Sequence, residues 1–82
     1  MPHAGGRVKA GLVAASSDLA ELTTVRSQLE ELARRVVAVA DRYEDTADSQ
    51  VASDLYAAER TLLNARRSVD KAIAALDDLA RP

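Results

Sequence analysis

Two pairs of adjacent arginines are the side chains of this sequence best suited to chemistry. The guanidinium group binds carboxylate and phosphate through charge-assisted hydrogen bonds. If both pairs lay on one face, they would form a candidate anion-binding site for an acidic ligand or a nucleic acid. The four residues of this candidate site are Arg34, Arg35, Arg66 and Arg67.

Acidic residues near these pairs favour a simpler interpretation. Glu30 and Glu31 each precede an arginine by four residues, and Asp70 follows Arg66 by four. This is the spacing at which opposite charges pair on the surface of a helix. The chain has 11 basic and 13 acidic residues and a net charge of −2, so no overall positive field attracts nucleic acid. We therefore expect solvated helix flanks and keep an Arg-face regulator as the alternative.

Other chemical sites have too few residues of the right type. The only histidine is His3, and there is no cysteine, so a zinc cluster or a Cys/His catalytic pair cannot be assembled. Gly5 and Gly6 precede no strand pattern and do not make a phosphate-binding loop. We predict no enzyme activity, no cofactor and no bound metal.

Composition predicts one all-α domain. The chain has 82 residues, of which 48% are hydrophobic and only 2% aromatic, which suits thin packing between helices. Every Gly lies at or before Gly11, and the two prolines are Pro2 and Pro82, so the long middle segment has no strong helix breaker. No run approaches the roughly 20 apolar residues of a membrane span. We expect a cytoplasmic protein that does not enter a membrane.

Two heptad patterns predict two helices. After a flexible N-terminal tail over residues 1–17, helix 1 is expected over about 18–45 and helix 2 over about 51–80, together a hairpin over 18–81. Apolar residues alternate at three and four positions in both helices, which is typical of coiled coils. The first seam consists of Leu22, Val25, Leu29, Leu32, Val36, Val39 and Tyr43. The second consists of Leu55, Ala58, Leu62, Ala65, Val69, Ala72, Leu76 and Leu79.

A polar segment between the seams predicts a turn at about residues 46–50. Asp, Ser and Thr are enriched there, and such residues favour helix caps over helix interiors. The helices then fold back as an antiparallel coiled-coil hairpin. The preferred register sets Val39 beside Leu62, and a second register sets Val39 beside Leu55. The alternative fold is one continuous helix, about 100 Å long, in a coiled-coil dimer.

Apolar residues beside the seams predict association. They widen the apolar face of each helix, and a chain of this size rarely builds a sufficient core alone. We expect two hairpins to pair into a four-helix bundle, or one hairpin to dock on another helical protein. The predicted interaction residues are Leu19, Val37, Tyr56, Leu63 and Ile73.

The expected function is therefore a small non-catalytic adaptor, scaffold or regulatory protein that acts through helix–helix contact. A regulator that binds an anion or nucleic acid through its arginines is one alternative. A secreted helical-hairpin effector is the other, because such effectors have a similar shape. Their Trp-x-Gly turn has no counterpart here, since the chain lacks Trp and the turn segment lacks Gly.

Overall fold

Two α-helices joined by a short turn make up the fold. The computed structural model describes the backbone of residues 4–80 and the side chains of residues 15–80. Helix α1 covers Ala4–Tyr43 and helix α2 covers Ser49–Ala80, and no strand occurs within residues 4–80. The helices pack against each other. The predicted all-α helical hairpin is confirmed.

The dimensions of the hairpin exclude the continuous rod. The principal extents are 66 × 19 × 15 Å, whereas one unbroken helix would measure about 100 Å. The 40 residues of α1 alone account for about 60 Å of the long dimension. The chain therefore folds back at the polar segment.

Helix α1 begins well before the predicted start. The predicted tail covered residues 1–17, but α1 begins at Ala4, and only the first three residues of that tail lie outside the described part of the chain. A glycine inside a helix costs about 1 kcal/mol relative to alanine and does not forbid the helix. The apolar spacing of Val8, Leu12 and Ala15 continues the heptad pattern upstream, which favours this extension.

The turn covers residues 44–48, slightly earlier than predicted, and is organised by Thr46. Its backbone N–H and its Oγ1 both donate to the Tyr43 carbonyl, at 3.2 and 2.5 Å. Its Oγ1 accepts from the Asp48 N–H at 3.1 Å, and its carbonyl accepts from the Ser49 N–H at 3.2 Å. Asp45 takes the left-handed conformation, with φ of 61°, which reverses the chain without a glycine. Short polar side chains thus replace the usual Gly at the end of a helix.

Among residues 15–80, the fully buried residues between the helices are alanines. Ala15, Ala33, Ala40 and Ala52 have exposed fractions of only 0–3%. Small side chains allow two helix backbones to approach closely. The predicted first seam is partly wrong, since Leu32, Val39 and Tyr43 are 36–41% exposed. Close packing on alanine turns these large residues toward one side of the hairpin.

The observed register is the second one. Val39 and Leu55 line the same groove. Arg26 contacts Asp70 at 3.3 Å, and the second register sets Arg26 level with residue 68, two positions from Asp70. The preferred register, with Val39 beside Leu62, is wrong. The short turn explains the correction, because α1 ends at Tyr43 and α2 resumes at Ser49. Tyr43 therefore sits at the turn instead of pairing further along α2.

Candidate interaction surface

One side of the hairpin carries large apolar side chains that no second helix covers. We call it the open apolar face, formed by Leu32, Val36, Val39, Tyr43, Val51, Leu55 and Leu79. Five of these residues are exposed, with exposed fractions between 36% for Val39 and 57% for Leu79. Heptad spacing keeps them on one side, because residues seven apart return to nearly the same direction on a helix. The large residues of the face are grouped in the half of the hairpin nearer the turn, and Leu79 lies at the far end of α2.

Shallow grooves mark the middle of this face. Leu32, Arg35, Val36, Val39 and Leu55 line an open groove of about 280 Å³. A second groove of about 330 Å³ adjoins it and shares Leu32 and Arg35. Sites for small ligands are usually enclosed and measure about 300–1,000 Å³. Open grooves of this size suit the side chains of another helix better than a cofactor.

The two edges of the face differ in side-chain size. The α1 edge presents Leu32, Val39 and Tyr43, which are large. The α2 edge has alanines at the heptad positions between Val51 and Leu79, where Ala65 and Ala72 are exposed and Ala58 is half-buried. Ridges of large side chains pack best into depressions left by small ones. We call the α1 edge, with its large side chains, the raised edge, and the α2 edge, with its alanines, the low edge.

The opposite side of the hairpin is closed by polar links between the helices. The Arg26 guanidinium donates to the Asp70 carboxylate at 3.3 Å, and the Arg66 Nε lies 3.9 Å from the other oxygen of that carboxylate. This Nε is buried and has no hydrogen-bond partner. Asp70 therefore connects one arginine of each helix, and we call this side the polar face.

Tyr56 forms the second link of the polar face, near the turn. Its hydroxyl contacts the carboxylates of Asp41 on α1 at 2.6 Å and of Glu44, the first residue of the turn, at 2.9 Å. A phenol has one proton to donate, so the two carboxylates share it. The hydrogen bonds to Asp41 and then to Glu44 raise the pKa of Tyr56 well above its ordinary value, because only the protonated hydroxyl can donate them, and repulsion of the phenolate by the two carboxylates adds to the effect.

The five predicted interaction residues are not the exposed ones. Leu19, Val37, Tyr56, Leu63 and Ile73 are all half-buried, and Tyr56 belongs to the polar face. The exposed large side chains are Leu32, Val39, Tyr43 and Leu79, which belong to the predicted seams, and Val51, which belongs to neither. The heptad pattern was the signal for this surface, but it was assigned to the interior of the hairpin.

The four arginines of the candidate anion site are held separately. Arg34 donates to Glu31 at 2.5 Å, which lowers the pKa of the Glu31 carboxyl and raises that of Arg34. Arg67 donates to Asn64 at 3.0 Å, Arg66 lies beside Asp70, and Arg35 lines the grooves. In the observed register Arg67 is about two helical turns, roughly 10 Å, from the level of Arg34. The structure does not bring the two pairs together.

Within the described part of the chain, no group of three or more His, Cys, Asp or Glu residues could hold a metal ion. His3 lies outside it. Neither described helix is apolar enough over a sufficient length to cross a membrane. No family model, curated protein or solved structure matches this chain.

Proposed function

We propose that this protein is a non-catalytic association module, an adaptor, scaffold or regulatory protein whose hairpins pair into a four-helix bundle through the open apolar face. The observation that carries the proposal is the continuous exposure of Leu32, Val39, Tyr43 and Val51 on one side of the hairpin. A contiguous apolar patch of this kind usually marks an interaction site.

The size of the chain supports the same conclusion. Two helices bury one stripe each, and the fully buried side chains among residues 15–80 are four alanines. Alanine removes little apolar area from water, and large residues such as Leu62 and Val69 are only half-buried, so much of the apolar area that the core could bury stays in contact with water. Small domains without disulfides or metals commonly obtain the missing stabilisation from oligomerisation. Pairing would cover Leu32 and Val39 and enlarge the core.

The test replaces Leu32 or Val39 with glutamate. Both side chains are more than a third exposed in the single hairpin, and Glu is a good helix former, so the hairpin itself should tolerate either change. In a paired assembly the new carboxylate would be taken out of water beside Arg35, and removing a charge from water costs several kcal/mol even where a partner is near. We expect wild type at twice the 8.7 kDa chain mass and a dimer dissociation constant at least about 100-fold weaker in each variant.

Ala38→Glu is the matched control, since Ala38 is exposed and adjoins Val39 in sequence but points away from the face. Sedimentation equilibrium gives the masses, and circular dichroism confirms helix content. A monomeric wild type at high concentration would overturn the proposal. So would variants at Leu32 and Val39 that associate as tightly as Ala38→Glu.

A further inference from the structure

We infer that two copies of this chain pair with their turns at the same end, so that α1 of each hairpin lies on α2 of the other. The two-fold axis then runs parallel to the helices. This inference rests on the proposed function and names both the occupant of the open apolar face and its direction.

Charge favours a second copy as the occupant. The exposed edges of the face carry both signs, with Glu21, Arg35 and Arg42 beside the α1 edge and Asp54 beside the α2 edge. A surface that carries both signs can be complementary to itself, whereas a face of one sign would repel its copy. In the same-end arrangement, Asp54 of one copy falls at a level between Arg35 and Arg42 of the other.

Side-chain size decides the direction. In the same-end arrangement Leu32 and Val39 of the raised edge lie on either side of the level of Ala58 on the other copy, and Ala65 follows beyond Leu32. Near the turn, Tyr43 lies close to the level of Val51. The opposite-end arrangement places α1 on α1 and α2 on α2. It brings Glu21 toward the same arginines, so charge does not choose between the two directions. It also sets large side chains against large and small against small, which gives unequal gaps across the bundle. Uniform packing needs large residues opposite small ones.

The turn supplies a probe that distinguishes the two directions. The sequence has no cysteine, so a single Ala47→Cys variant carries one spin label per chain. Ala47 is exposed in the turn, and none of the turn hydrogen bonds given above involves it. Bundle helices lie about 8–10 Å apart, so turns at the same end should give a label distance below about 30 Å. Turns at opposite ends would be separated by the length of α2, about 45 Å or more.

A second label reports pairing in either direction. Ser68 is exposed near the middle of α2, so a Ser68→Cys label should give a short distance in both arrangements. Pulsed electron paramagnetic resonance measures both variants of the full chain. Short distances at both positions are the expected result. A long distance at Ala47 with a short one at Ser68 overturns the same-end inference but leaves the proposed function standing. Absence of any intermolecular distance overturns both.

Discussion

The two sides of this hairpin are formed by the same two helices. They differ in whether side chains of one helix bind the other helix across that side. On the polar face, side chains of one helix reach across to the other, as Arg26 does to Asp70 and Tyr56 to Asp41. On the open apolar face, Leu32, Val39 and Val51 are left at least 36% exposed. One side is complete within a single chain, and the other lacks a covering layer.

The difference shows how a narrow core directs association. The alanines at the centre allow the backbones to approach closely, and the exposed large seam residues of α1, Leu32, Val39 and Tyr43, lie on one side. Polar residues on the other side are already linked between the helices and gain little from a partner, since partly exposed ion pairs return little net energy. Apolar residues gain from any surface that removes them from water. The hairpin therefore has one side suited to association and one that is not. The alanine core, the turn and each face can be altered by separate substitutions.

The largest effect is expected from enlarging the alanine layer. Ala40 has no exposed surface, so Ala40→Leu forces additional methyl groups between two closely packed helices. Overpacking of this kind costs about 1–3 kcal/mol. We expect a lower urea midpoint for unfolding, followed by circular dichroism at one fixed protein concentration.

Ala38→Leu makes the same chemical change on the same helix at an exposed position. Its free energy of unfolding should stay within about 0.5 kcal/mol of wild type. Equal midpoints for the two variants would mean that Ala40 is not confined between the helices, and the distinction between a tight centre and an open face would fail.

A smaller effect is expected at the turn that joins the two faces. Asp45 has a φ of 61°, a conformation that costs a residue with a Cβ atom roughly 1 kcal/mol and costs glycine nothing similar. Asp45→Gly should therefore change stability little or increase it by about 0.5–1 kcal/mol. Asp45→Val should lower it by at least as much, because branching at Cβ is poorly tolerated there. Thermal unfolding of the pair measures the difference, and a more stable Val variant would contradict the assigned turn.

The sequence predicted the presence of the helices and the turn better than it predicted which side of each helix contacts the other. The heptad spacing of Leu32, Val39 and Tyr43 identifies residues that share a stripe, and this is a property of one helix. Which stripe meets the other helix depends on how closely the backbones approach, and an alanine such as Ala40 gives no strong sequence signal. The short turn also fixed the register in a way that the pattern of large and small residues did not.

The polar links were the least predictable part of the surface. Arg26 and Asp70 are 44 positions apart, so no local spacing connects them. For Tyr56 the sequence indicates that a polar link exists, since a tyrosine beside an apolar stripe usually turns its hydroxyl toward a polar partner. Its partners Asp41 and Glu44 follow only from the observed register.

A modest effect is expected from breaking the charged link of the polar face. Asp70→Asn removes the charge that joins Arg26 to Arg66. These side chains are 34–41% exposed, and solvent screens such pairs, so we expect a loss of about 0.2–1 kcal/mol. The loss should shrink as salt rises from low to high ionic strength.

Dimer mass in the same variant separates the two faces. Asp70→Asn leaves the open apolar face unchanged, so sedimentation should show wild-type association. If the variant dissociated like Leu32→Glu, the polar face would take part in pairing, and the two sides would not be independent.

The smallest effect is confined to alkaline pH and concerns Tyr56. The hydrogen bonds from its hydroxyl to Asp41 and Glu44 raise its pKa above the ordinary value of 10.0. A group whose pKa is raised on folding contributes stability below its unfolded pKa and loses that contribution as pH rises through the folded pKa. The contribution of Tyr56 should therefore be constant at neutral pH and decline only above about pH 10.

Ultraviolet absorbance of tyrosinate can follow this titration directly. The chain has two tyrosines, so Tyr43→Phe leaves Tyr56 as the single reporter, and its ionisation should lag behind that of free tyrosine. Asp41→Ala in the same background removes the acceptor of the hydrogen bond that is the largest cause of the shift, and should move the titration toward the ordinary value. Since Asp41 and Tyr56 lie on different helices, a normal pKa in folded Tyr43→Phe would mean that the polar face is as open to water near the turn as the apolar face opposite it.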